Sequence, residues 1–327
     1  MTVLWGRRRA SGDGSTVLSA AFAIAWAAAV YLFSAIGDWR SQRVVGVHDA
    51  VSTGWLPHKC TSGKEAVRPF TQGLLYSGDS TILETSGLHA ASFLREFWET
   101  TGETFRRVDL PNDYFAEGAA LVVEPSTLRL YVMVLTYTDN VILMYDYVSF
   151  ELAYTHPMHY VGFGLTSNYD IRCADRGSFV KRQKVWMTTG GDQLVSLALP
   201  RSFSQGAPSP AGAVPITLNG RRLIYVNEME YNPQSGTIYA NVWQTNYIVE
   251  IDPGSGACVN VWDLGAIAAK QPRLVDVMNG IACHPAKSHC LITGKFWPQL
   301  FGVALRETGA APRAIPPEFY EHFCREP

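Results

Sequence analysis

The polar residues of this chain that could do chemistry sit at the entries to short apolar runs, and the arrangement recurs. Glu117 lies in Phe115-Ala116-Glu117-Gly118 and Gln72 in Phe70-Thr71-Gln72-Gly73; Asn227 and Glu228 lie in Val226-Asn227-Glu228-Met229-Glu230, and Asn279 in Met278-Asn279-Gly280. A glutamate set between Phe115 and a glycine suits general acid–base work, because an apolar setting disfavours the carboxylate and lifts its pKa towards neutrality. The competing role is a turn cap that accepts backbone N–H groups. Lys295, in Thr293-Gly294-Lys295-Phe296-Trp297-Pro298, ends an apolar run and is braced by two aromatics, unlike an ordinary surface lysine. Trp243 points opposite to Val242 in an extended run and reads as core or as pocket wall. There is no G-x-S-x-G, no H-E-x-x-H and no phosphate loop. The eight histidines are scattered. Neither His156 with His159 nor His284 with His289 has the carboxylate company of a zinc site.

Such residues act together only if the fold gathers them. Five entries can be counted: around Gln72, around Glu117, at Gly162-Phe163-Gly164-Leu165-Thr166, around Asn227 and around Asn279. Each is followed by a strand, a turn and a further strand. Examples are Leu128–Leu135 with Val141–Asp146, Lys184–Thr188 with Gln193–Ala198, and Thr237–Val242 with Tyr247–Ile251; Cys290–Thr293 follows the last entry. The hairpin signal is strongest where Leu223–Val226 and Thr237–Val242 flank Asn232-Pro233-Gln234-Ser235-Gly236, since Pro, Ser and Gly supply turn geometry between β-branched and aromatic residues. Entries recur about every 45 to 60 residues, the period of a four-stranded propeller blade. The spacing therefore predicts an all-β, five-bladed β-propeller, in which the inner strands begin at one face and bring Gln72, Glu117, Asn227, Glu228 and Asn279 together beside Phe70, Phe115 and Phe163. Ser202–Pro215 reads as a low-complexity surface insertion and Pro316–Pro327 as a loosely patterned tail. A strand near Arg43–Val47 is expected to complete the final blade.

The 327 residues carry a net charge of -2 and no basic stripe, which argues against a nucleic-acid partner. Residues 1–16 read as a short cytoplasmic N-terminus. Val17–Ile36 is free of charge and follows Arg7-Arg8-Arg9, the pattern of a single N-terminal transmembrane helix that anchors the protein to a membrane. A cleaved signal peptide is the rival, given the Ala-rich composition and Ser34-Ala35-Ile36. Residues 37–60 form a stalk with the blade-closing strand, and 61–327 the catalytic domain. Either reading puts that domain on the luminal or extracellular side of the secretory pathway. Disulfides are permitted there among Cys60, Cys173, Cys258, Cys283, Cys290 and Cys324, with the pairing open.

Taken in order, FTQGL, FAEG, GFGLT, NEMEY, ANVWQT, MNGIA and TGKFWP resemble the plant- and bacterial-type glutaminyl-peptide cyclotransferases, over about Val67 to Val303. The resemblance implies a five-bladed propeller that converts the N-terminal glutamine of peptides or proteins into pyroglutamate and releases ammonia. It places the catalytic glutamate on Glu117, the motif glutamine on Gln72, and pocket aromatics on Phe70 and Phe115. The family's asparagine, tryptophan and lysine fall on Asn227, Trp243 and Lys295. No cofactor is required by this chemistry. Three positions depart from the family pattern: Ala116 replaces a glycine, while Tyr137 and Phe163 replace tryptophans in the substrate-binding wall.

Two other readings fit the same convergent set. A calcium-dependent lactonase-like hydrolase would use Glu117, Asn227 and Asn279 as oxygen ligands, and a structural calcium in the channel would suit the same groups. A non-catalytic binding propeller would use the cleft without chemistry.

Overall fold

The computed structural model describes residues 44–58, 60–62 and 65–326. The compact unit runs from Val45 to the C-terminus. In chain order, β1 (Val47–Asp49), β2 (Val51–Pro57) and the hairpin β3–β4 (Cys60–Ser62, Glu65–Val67) come first. Three four-stranded stretches follow. They are β5–β8 (Thr71–Gly78, Thr81–Ser86, Phe93–Trp98, Thr104–Asp109), β9–β12 (Ala116–Val123, Leu130–Thr136, Val141–Asp146, Leu152–Pro157) and β13–β16 (Leu165–Ser167, Val185–Thr188, Gln193–Ala198, Ser209–Pro215). Next come β17 (Thr217–Leu218) and β18 (Arg221–Leu223), then β19–β22 (Val226–Asn232, Thr237–Val242, Tyr247–Ile251, Cys258–Asp263). The chain ends with β23–β25 (Met278–Cys283, Cys290–Gly294, Gln299–Ala304), a short helix at Pro317–Phe323, and β26 (Cys324–Arg325).

The expected five blades are corrected by the sheet topology. Counted as sheets of three or more strands, the described residues build six blades. Five of them contain an entry strand. The sixth joins β17 and β18 to β26, through pairs such as Leu223 with Cys324. It has no polar-glycine entry and takes its third strand from the far end of the chain, so no periodic signal marks it. The tail is thus an ordered part of the domain. Val17–Ile36, read as a transmembrane helix, lies outside the described residues; among the described residues no helix is long and apolar enough to cross a membrane.

The N-terminal strands also differ from expectation. Val51–Pro57, rather than Arg43–Val47, adds to β25 and completes the last sheet, while β1 adds in parallel to β22 of the neighbouring one. The supposed insertion contributes a strand as well: Ser209–Pro215 is the exposed outer strand of its blade. An edge strand needs only one row of backbone partners, so a Pro-, Ala- and Gly-rich sequence can serve.

Alternation in each sheet sends apolar side chains to both faces, where they meet the next sheet. Leu83, Leu94 and Leu75 pack on Leu121, Val132 and Val134, and Val122, Met133 and Met144 pack on Met187 and Val195. The five entry strands lie beside one another around the middle: β5 against β9 and β23, β13 against β9 and β19, and β19 against β23. Such close approach demands glycine. A Cβ on Gly118 would stand 2.5 Å from the Phe163 carbonyl oxygen, and one on Gly164 would stand 2.1 Å from the Asn227 carbonyl oxygen. Real side chains are excluded there, so the entry glycines set the spacing of the ring.

Candidate active site

Four entry strands carry a register irregularity at the polar residue that sequence analysis singled out. Gln72 is the extra residue between Thr71 and Gly73. Glu117 and Gly118 together face a single residue of β10, Asn227 and Glu228 a single residue of β20, and Asn279 and Gly280 a single residue of β24. A bulge interrupts the alternation of a strand and re-aims a side chain. This is why charged and amide groups can leave the core faces of otherwise apolar strands and converge.

They converge on a cleft of about 590 Å3 lined by Phe70, Gln72, His89, Phe115, Glu117, Tyr137, Phe163, Thr189, Gly190, Tyr225, Val226, Asn227, Trp243 and Lys295. All nine residues named above as catalytic or substrate-binding are in this set. Glu117 and Gln72 are almost fully buried, as are Asn227 and Lys295. Asn279 Nδ2 donates to the Thr71 carbonyl at 2.9 Å and to Gln72 Oε1 at 3.2 Å, and Gln72 Nε2 donates to Glu117 Oε1 at 3.1 Å. That relay fixes the rotamer of the glutamate through one oxygen. Its other oxygen, Oε2, is buried and has no hydrogen-bond partner among the described residues.

Burial pushes the Glu117 carboxyl well above the ordinary carboxylate range, opposed by the positive charge of Lys295. Burial also lowers Lys295, opposed by Glu117 and Asp276. The two shifts share one cause: each ion is disfavoured by desolvation and rescued in part by the other. The ammonium of Lys295 stands 4.6 Å from the centre of the Phe70 ring. Its turn is held by the backbone, with Lys295 N donating to the Val277 carbonyl and Phe296 N to the Pro69 carbonyl. Phe296 adopts φ 62°, which swings the turn sharply away from β24.

The wall is a chain of rings. Phe70 meets Phe115 edge-on at 6.0 Å, Phe115 meets Tyr137 at 5.9 Å, and Tyr137 meets Phe163 at 5.6 Å. Tyr137 and Phe163 therefore stand in the wall itself, where a tyrosine and a phenylalanine present less ring surface to the cleft than two tryptophans would. Ala116 is different: it is buried among Leu83, Leu121 and Val134 and faces the core. Glu228 does not line the cleft. It is buried behind it, with its pKa raised by burial and then by Glu230, and Leu74 N donates to it. Asn279 likewise acts from behind, through Gln72.

His89, Thr189, Gly190 and Tyr225 also line the cleft and are not among the residues their local sequence marks as candidates. Tyr225 had a usable signal, since it directly precedes the Asn227 entry. It interrupts the run Leu223–Val226, which was read as one strand, by adopting φ 62°. Among the described residues no three His, Cys, Asp or Glu side chains are grouped to hold a metal ion.

The molecule is a β-propeller with a buried carboxyl and a buried lysine in one aromatic cleft, residue types that suit acid–base chemistry. The family follows from comparison. A model of the glutamine cyclotransferase family matches residues 56–305, and the chain belongs to that family. It is 29% identical over 248 residues to a glutaminyl-peptide cyclotransferase of Arabidopsis thaliana, which covers 74% of this chain and 68% of that protein. The crystal structure of Myxococcus xanthus glutaminyl cyclase superposes with a TM-score of 0.61 at 28% identity, covering 79% of this chain and 97% of that one.

Proposed function

We propose that the protein is a glutaminyl-peptide cyclotransferase, acting on peptides or proteins that begin with glutamine, with Glu117 as its acid–base group. The observation that carries this reading is the state of Glu117: buried, raised in pKa, oriented by Gln72 through one oxygen and unpartnered at the other. Family membership supports the reaction type.

The substrate's α-amine attacks the side-chain amide carbon of its own glutamine, and Glu117 Oε2 takes the amine proton. The carbon becomes tetrahedral and negative charge develops on the amide oxygen. Lys295 and the Asn227 amide are the donors at the cleft floor that stabilise this oxyanion, an effect typically worth about 10²–10³ in rate per donor. Glu117 then returns its proton to the amide nitrogen, which leaves as ammonia, and the five-membered lactam closes. One proton enters Glu117 and one leaves it, so the step balances without any redox partner and requires no cofactor. Phe70, Phe115, Tyr137 and Phe163 hold the flexible side chain folded back on its amine. Positioning is a large part of the catalysis because the reaction is intramolecular.

A luminal or extracellular setting is part of this reading. It is supported by the Cys283–Cys290 disulfide, which joins directly paired residues of β23 and β24. Membrane attachment through 17–36 rests on the sequence alone.

Ammonia release from a Gln-initiated dipeptide by the full chain, with Glu117→Gln as control, tests the proposal. Turnover lost in the control establishes both reaction and residue, whereas equal turnover in the two would remove Glu117 from its role. Turnover that survives a calcium chelator separates this chemistry from a calcium-dependent hydrolase.

A further inference from the structure

The cleft divides by chemistry. Its floor holds the buried polar groups Gln72, Glu117, Asn227 and Lys295, whereas Tyr225 and Trp243 stand at its opening, 40% and 39% exposed. Their rings lie 5.8 Å apart at an interplanar angle of 59°, an open V rather than a closed stack. Among the described residues, no acidic or basic side chain lines the cleft other than Glu117 and Lys295; His89 is the one further imidazole.

The backbone under Tyr225 is built rather than incidental. At φ 62° it is in a region that a bulky residue enters only when its surroundings enforce it. Three hydrogen bonds do so: Tyr225 N donates to the Gly190 carbonyl at 3.3 Å, Trp243 N to the Tyr225 carbonyl at 2.9 Å, and Ile224 N to the Phe323 carbonyl at 2.9 Å. The Phe323 ring backs Tyr225 edge-on at 6.4 Å. Phe323 belongs to the C-terminal helix and precedes β26, the strand that completes the sixth blade. This segment lies beyond residues 56–305, the part of the chain that matches the family model.

A glutamine folded back on its own amine occupies the floor, and its peptide bond must then lead towards the opening. The next Cα is about 3.8 Å further on, which carries the second side chain towards the opening. We propose that Tyr225, positioned by Phe323, forms with Trp243 a second subsite that receives an apolar or aromatic side chain on the residue following the N-terminal glutamine. This inference rests on the cyclotransferase reading. It makes the C-terminal tail a determinant of which peptides are chosen.

The test compares Gln-Phe-amide, Gln-Gly-amide and Gln-Asp-amide on the full chain, by ammonia release and, independently of turnover, by calorimetric binding. The expected preference is Phe over Gly by about tenfold in kcat/KM, the size of one good aromatic contact, and Asp last. Tyr225→Ala and Phe323→Ala should bring the Phe/Gly ratio towards one, and Tyr225→Phe should restore it. A wild-type ratio near one, or a Tyr225→Ala variant that weakens both substrates by the same factor, overturns the subsite while leaving the cyclase intact. Tighter binding of Gln-Phe-amide without any ammonia release would keep the subsite and overturn the reaction.

Discussion

Glu84 and Glu117 are both fully buried glutamates on adjacent blades, and they end in opposite states. Around Glu84, Arg95 Nε donates to Oε2 at 2.7 Å, His58 Nε2 lies 2.8 Å from Oε1, and Thr71 Oγ1 donates to Oε1 at 2.7 Å. Burial alone would raise this carboxyl, but the charges of Arg95 and His58 and these hydrogen bonds outweigh it and bring the pKa down to about 2. Around Glu117 there is one neutral donor, Gln72, and one cation, Lys295, and burial wins. The difference teaches that burial alone does not set the state of a carboxyl. Opposite charges with directed donors keep Glu84 ionised, whereas Glu117 and Glu228 are both raised, and of those two Glu117 is the one that lines the cleft.

The two sites are also joined. His58 follows β2, its Nδ1 lies 3.0 Å from the Trp297 carbonyl, and Glu84 accepts from Thr71, the neighbour of Gln72. Glu84 therefore ties the closing strand and the Lys295 turn to the entry that orients Glu117.

The largest expected break of the comparison is Glu117→Gln, which should lower kcat by about 10²–10⁴ in the ammonia assay while leaving the thermal midpoint unchanged or raised. The matching change, Glu84→Gln, should do the reverse in kind: a destabilisation of about 3–5 kcal/mol by denaturant titration, because the paired cations of a buried network lose their counter-charge. Equal stability loss in both variants would show that the two carboxyls are not functionally distinct. Lys295→Met should reduce kcat by about 10²–10³ if Lys295 serves the oxyanion. It should also raise the apparent pKa of the acidic limb of the rate profile, since the charge that opposes the Glu117 shift is gone.

The pH dependence of stability sharpens the same contrast. Glu84 titrates at about 2 in the folded state against an ordinary value of 4.5, so its contribution is present above about pH 4.5 and lost as pH falls towards 2. Glu117 is raised, so the folded state keeps a proton that the unfolded chain has released. Its contribution is present below 4.5 and declines as pH rises towards the folded value. Melting temperatures of Glu117→Gln across neutral pH should therefore fall less steeply than those of the parent. The smallest effect is expected from Tyr137→Trp and Phe163→Trp, which enlarge the wall and should lower KM by about two- to fivefold. An unchanged KM would show that the wall does not contact substrate.

Much of this was legible because local rules and global fold agree. The strands Val141–Asp146, Gln193–Ala198, Thr237–Val242 and Tyr247–Ile251 fall where their alternation and turns placed them. The residues that gather in the cleft were visible as polar groups at strand entries. What escaped lacked such a signal. Tyr225 looks like the middle of a strand until its φ is known, Ser209–Pro215 has a composition that only an edge strand can use, and His58 is an isolated histidine whose partners are remote in sequence.

The sequence by itself determined the all-β class, the entry motifs and the chemical types at the site, because these depend on period and residue identity. The tertiary structure decided the sixth blade, the closing strand, and which of Glu84, Glu117 and Glu228 is ion-paired, lines the cleft or is buried behind it. Those outcomes depend on charges, donors and bulges that meet from distant strands, and long-range contacts of that kind leave no periodic mark on the chain.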